Sequence, residues 1–117
     1  MLDFRIERRL GDNRPIYAEA TSQTPGATGE VTGAAGDWKA YDPTDTLVGS
    51  GTVDGQTSGS VTVPMVWFSA DTSLWPAPAC YRVVITWQVT WSDGIQRTYV
   101  TEGLLRLMAS YEPRRSP

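Results

Sequence analysis

The sequence predicts an all-β domain, an immunoglobulin-like antiparallel β-sandwich of about seven to nine strands. Three observations carry this. From Tyr81 to Trp91 the large apolar residues Tyr81, Val83, Ile85, Trp87, Val89 and Trp91 fall at every second position, the period of a strand with one buried face. Turn residues recur along the chain at intervals of about ten residues, among them Gly11-Asp12-Asn13, Asp42-Pro43, Asp54-Gly55 and Asp93-Gly94. Thr and Ser number 14 and 9 against a single Lys, and no long stretch shows a 3.6-residue apolar period.

Each element follows from its own pattern. Leu2 to Arg8 alternates apolar and charged residues and reads as a half-buried strand. Pro15 to Thr21 reads as the second strand, with Pro15 tolerable at its start. Residues 22–36 are mostly Gly, Thr, Ala and Ser and read as a loop, with at most a short strand around Glu30-Val31-Thr32. Asp37–Tyr41 and Thr46–Val53 are the next strands. Ser60–Val63 begins another that Pro64 bends or confines to an edge. Residues 69–79 form a connection, in which Ser69 or Asp71 can cap one helical turn.

The segment from Cys80 to Leu107 is a hairpin. A two-residue loop at Asp93-Gly94 would set Gln96 and Thr98 against the face of Trp91 and Val89. A three-residue loop with Gly94 left-handed sets Trp91 opposite Ile95, Trp87 opposite Tyr99 and Tyr81 opposite Leu105. The second register keeps the bulky residues together, so a type I turn with a G1 bulge is expected. The expected core is Tyr81, Val83, Ile85, Trp87, Val89, Trp91 and Tyr99. Tyr81 leads its strand after a turn-rich connection, the position of a tyrosine corner, and its hydroxyl is expected to reach a backbone group between Asp71 and Ala77.

At 117 residues the chain suits one domain, here residues 1–109, followed by an extended tail at 110–117 that holds Pro113 and Pro117. The net charge of −3 is unevenly spread: residues 21–80 carry one Lys or Arg against six Asp or Glu. An acidic middle is a poor platform for nucleic acid. No apolar run approaches the length of a membrane span, and the first residues lack the apolar stretch of a secretion signal. One cysteine, Cys80, fits assembly in a reducing cytoplasm.

Residues in two separated stretches resemble a known family. Gly11-Asp12-Asn13-Arg14-Pro15-Ile16 looks like the "GD-x-x-P-I" opening of small phage immunoglobulin-like domains. Asp71-Thr72-Ser73-Leu74, the Tyr81-led strand, Asp93-Gly94, Thr98 and Gly103-Leu104-Leu105-Arg106-Leu107 look like their ending. The family is the N-terminal domain of phage baseplate upper proteins and its relatives, and the resemblance spans roughly residues 4–107. Family strands usually begin "P-G-x-Y", where this chain has Pro76-Ala77-Pro78-Ala79-Cys80-Tyr81. The resemblance implies a virion structural role, as a tail, baseplate, neck or capsid adaptor or decoration component. Its partners would be other virion proteins and further copies of itself.

No catalytic residue, metal site or cofactor is expected. The chain has no His, which excludes Ser-His-Asp and Cys-His catalysis and His-ligated zinc. Its 13 acids are scattered over turns, where Asp42 and Asp45 are ordinary turn residues. Cys80, on the face opposite Tyr81, reads as a structural thiol. The tryptophans offer an alternative function. Trp67 and Trp75 flank Pro64 and Pro76 and are candidates for exposure, either as protein-interface anchors or as the stacking surface of a carbohydrate-binding module. With Tyr111, Arg114 and Arg115 of the tail they make up the candidate interface.

Overall fold

The computed structural model describes residues 4–19, 30–56 and 65–109, and these are all-β. In chain order the strands are β1 (Phe4–Arg9), β2 (Ile16–Glu19), β3 (Val31–Tyr41), β4 (Leu47–Thr52), β5 (Gly55–Gln56), β6 (Met65–Phe68), β7 (Ala79–Trp91) and β8 (Gln96–Met108). They form a five-stranded sheet, β1-β8-β7-β3-β4, and a three-stranded sheet, β2-β6-β5. The sheets pack face to face. Ile16, Ala18, Val66 and Phe68 of the small sheet share one core with Trp38, Ala40 and the inward row of β7. At the middle of the interface the Trp38 and Phe68 rings stack with centroids 4.7 Å apart.

The β7–β8 hairpin is the frame of the large sheet. Tyr81, Val83, Ile85, Trp87, Val89 and Trp91 are all buried, none more than 7% exposed, and Tyr99 packs at the rim of the core. The register is the expected one, with Trp87 opposite Tyr99 and Tyr81 opposite Leu105. The turn closes with the Trp91 amide donating to Ile95 and the Gly94 amide donating to Trp91, both at 2.9 Å. Gly94 has φ 87°, the left-handed conformation of a G1 bulge.

The tyrosine corner also forms. Tyr81 is fully buried and its hydroxyl donates to the Pro76 carbonyl, inside the segment expected from the sequence. Residues 69–79 form no helix, but Asp71 does cap a single turn there: its Oδ1 accepts from the Ser73 amide at 3.0 Å and hydroxyl at 2.7 Å, and the Trp75 amide closes the turn on the Thr72 carbonyl at 3.0 Å.

Two expectations about the strands are corrected. Residues 31–36 are not loop: Val31–Tyr41 is one strand, paired with β7 from Val31 opposite Trp91 to Tyr41 opposite Arg82. The run Gly33-Ala34-Ala35-Gly36 lacks β-formers, and at Gly36 the reason is close packing. Gly36 lies opposite Trp87, and a Cβ on Gly36 would come within 2.5 Å of the Trp87 Cβ. The sandwich is also not wholly antiparallel, because β1 runs parallel to β8, Phe4 opposite Gly103. β1 is followed by a crossing to the other sheet, so no hairpin fixes its direction against β8. The strand expected at 60–63, and the tail with Tyr111, Arg114 and Arg115, lie outside the described residues.

Candidate interaction surfaces

Trp67 and Trp75 part company in the structure. Trp75 is interior, 8% exposed, with its ring 5.1 Å from Tyr81 and 6.4 Å from Trp38. Its position beside Pro76 suggested exposure, but β4 leaves room for it. A Cβ on Gly49 would sit 2.6 Å from Trp75 Cζ2, so the missing side chain is the seat of the ring. The amide of Trp75 donates to the Thr72 carbonyl at 3.0 Å and holds the connection over that seat.

Trp67 points the other way. In β6, Val66 and Phe68 are buried, so the alternation sends Trp67 to the outer face of the small sheet. There it lies between Tyr17 of β2 and Gly55 of β5. The Trp67 and Tyr17 centroids are 5.8 Å apart with planes at 52°. Tyr17 is 52% exposed, and Glu19 is exposed on the same face. This makes an aromatic pair with a polar tip and a carboxylate alongside, the composition of a protein-contact anchor. The sequence reading did not single out Tyr17. Its place between the inward residues Ile16 and Ala18 was the signal that could have found it.

The outer face of the large sheet centres on Arg82, between Tyr41 of β3 and Leu104 of β8. Its guanidinium lies 4.5 Å over the Tyr41 ring, 2.8 Å from Asp45 and 3.7 Å from Glu102. The hydrogen bond that Arg82 donates to Asp45 raises the Arg82 pKa above its ordinary value. Asp45 holds an unusual φ of 69° in the β3–β4 turn. Asp42 organises that turn, accepting from the Thr44 hydroxyl at 2.7 Å and from the Thr44 and Thr46 amides at 2.9 Å. These hydrogen bonds, the Thr44 hydroxyl first, lower the Asp42 pKa. Leu47, across from Tyr41, and Val100 are exposed apolar residues on this face.

Cys80 is exposed, opposite Arg106, in a shallow groove with Arg5, Glu7 and Leu104. Among the described residues no three His, Cys, Asp or Glu side chains gather as metal ligands would. Among them, too, no helix is long and apolar enough to cross a membrane.

The two stretches that carry the family resemblance meet in space. The Gly11 amide donates to the Thr72 hydroxyl at 3.0 Å across 61 residues of sequence, and Thr72 is only 2% exposed. Beside it Asp12 takes Arg14 in a bidentate contact, with Nη2 at 2.6 Å. That hydrogen bonding holds the Asp12 pKa down to about 2. No family model matches the chain, and no curated protein or solved structure is significantly similar to it.

Proposed function

We propose that this domain is a non-catalytic structural component of a phage particle that works through protein–protein contacts with other virion proteins. The observation that carries the reading is the Gly11–Thr72 hydrogen bond. The "GD" and "DT" motifs behind the resemblance are neighbours in the fold, as parts of one design would be, although they lie far apart in sequence. The strand order supports the immunoglobulin-like part of the reading. β8-β7-β3-β4 corresponds to the extended GFC sheet of a variable-type sandwich, β2-β6-β5 to the opposing B-E-D strands, and Tyr81 to the corner.

Exposed Tyr17 with the half-buried Trp67 on one outer face, and exposed Leu47 and Val100 on the other, suit a domain embedded among neighbours. The carbohydrate-binding alternative draws less support. Trp75 is interior, and Trp67 and Tyr17 are tilted by 52° where a flat sugar ring favours coplanar platforms.

Mass spectrometry of gradient-purified particles, with antibody labelling under the electron microscope, tests the proposal. The expected result is a stoichiometric band and label at one fixed place on the particle. A chain that stays with the host lysate and never enters particles overturns it.

A further inference from the structure

Four strands edge the sheets among the described residues, and they are not alike. β1 carries Arg5, Glu7, Arg8 and Arg9; β2 has four residues and ends in Glu19; β5 has two residues. Charges and shortness are the ordinary means of keeping an edge from pairing with another chain. β4, Leu47-Val48-Gly49-Ser50-Gly51-Thr52, has no charged residue and no proline. Its irregularity, where Val48 is extra against Ala40 and Tyr41, is confined to its first half.

The hydrogen-bond phase of β4 can be read from its end. The Val53 amide donates to the Gly36 carbonyl at 3.0 Å, so Gly36 and Val53 form a hydrogen-bonded pair. Such pairs alternate with non-bonded ones along an antiparallel ladder. With Trp38 opposite Gly51 and Lys39 opposite Ser50, Gly51 and Gly49 turn their backbone groups toward β3. Ser50 and Thr52, both exposed, turn theirs away from the sheet.

We propose that β4 pairs with β4 of a second copy of this chain, antiparallel about a two-fold axis at Gly51, so that the large sheets run on through both molecules. This rests on the structural role proposed above and supplies the surface for self-association. In this register Ser50 faces Thr52 of the second copy and the reverse, and each pair exchanges both N–H···O bonds. Charge selects the same register. On the outer face Lys39 lies beside Ser50, and Asp37 beside Thr52. The row across the interface therefore reads Lys39, Ser50, then Thr52 and Asp37 of the second copy, with opposite charges flanking the junction. An axis at Ser50 would align Lys39 with Lys39. The contact is narrow, so the isolated dimer is weak, and repetition in a particle strengthens it through avidity.

Sedimentation velocity of the full chain from micromolar to near-millimolar concentration should show a monomer–dimer equilibrium. Over the same range the Ser50 and Thr52 amides, which have no strand partner among the described residues, should become slow to exchange. Ser50→Pro removes an N–H that points away from β3, so it should keep the melting temperature and abolish the dimer. Lys39→Asp should weaken dimerisation, most at low ionic strength, and Asp37→Lys added to it should restore it. A chain that stays monomeric, protection that appears elsewhere than at Ser50 and Thr52, or a Ser50→Pro protein that dimerises as before overturns the pairing. If Ser50→Pro does not fold, the amide exchange of the unmodified chain decides. A monomeric chain that still enters particles sinks the pairing and sustains the structural role. A dimer that never enters particles does the reverse.

Discussion

Trp87 Nε1 donates to Thr101 Oγ1 at 3.0 Å, with both residues at most 2% exposed. The largest fully buried side chain thus has its one polar atom satisfied by a neighbour on β8, which lets an indole occupy a dry position. Thr101→Val keeps the shape and removes the acceptor. It should cost about 1–3 kcal/mol, the penalty of stranding a buried donor. In a Trp87→Phe background the same change should cost far less, because no donor remains. Urea unfolding of the two single variants and the double variant measures the difference, and simple additivity would show that the bond contributes nothing. Trp87→Ala should cost about 3–5 kcal/mol.

The Tyr81 corner ties β7 to the connection that precedes it. Tyr81→Phe leaves the ring in place against Trp75 and loses the bond to the Pro76 carbonyl. A loss of about 0.5–1.5 kcal/mol is expected in denaturant unfolding. Burial raises the Tyr81 pKa above that of a free phenol, so its hydroxyl should stay protonated in a spectrophotometric titration past the pH at which a free phenol ionises. Early ionisation of Tyr81 would place its ring in water.

The β7–β8 hairpin was legible because its residues state both period and turn: Tyr81 to Trp91 alternate, and Asp93-Gly94 admits one register that keeps the bulk together. β3 was half legible. Asp37 to Tyr41 reads as strand, whereas Gly33 to Gly36 has no local signal, and Gly36 is small for the sake of Trp87 on another strand. Trp75 was misplaced for the same reason. It sits in a segment with no period, and what buries it is the space over Gly49, far away in sequence. The candidate site divides likewise. Period 2 sends Trp67 outward, but the meeting of Trp67 with Tyr17, and of Arg82 with Asp45, depends on strand pairing that one sequence does not display.

Gly49 gives a direct check on that account of Trp75. Gly49→Ala brings a Cβ to 2.6 Å from Trp75 Cζ2, and the ring has the Trp38 and Tyr81 rings near it on the core side. Overpacking of this kind costs about 1–3 kcal/mol. The paired change Gly49→Ala with Trp75→Phe should recover part of the loss, since the smaller ring vacates the space at Cζ2. Stability of the four proteins by thermal and denaturant unfolding checks it. A Gly49→Ala protein as stable as the original would mean that Trp75 does not lie against β4.

The acid limit of the fold is set in part by carboxylates held below their ordinary range. Arg14 hydrogen bonds take Asp12 from 3.8 to about 2, and Asp42 and Asp71 are lowered by the Thr44 and Ser73 hydroxyls and nearby amides. A carboxylate whose pKa is lower in the folded chain than in the unfolded one favours folding wherever it is ionised in both. That contribution is complete above the ordinary carboxylate pKa and is lost as the pH falls toward the folded value. For Asp12 the window therefore runs from about pH 4 down to about pH 2. Arg14→Ala removes the largest cause of the Asp12 shift and leaves the Asp42 and Asp71 turns untouched. An NMR titration of the side-chain carboxyls should show the Asp12 midpoint rising toward 3.8 in this variant, with the midpoints of Asp42 and Asp71 unmoved. The acid unfolding curve should become shallower between pH 4 and 2 by the Asp12 contribution alone. An Asp12 midpoint that does not move on losing Arg14 would assign its depression to the backbone of the turn instead of the guanidinium.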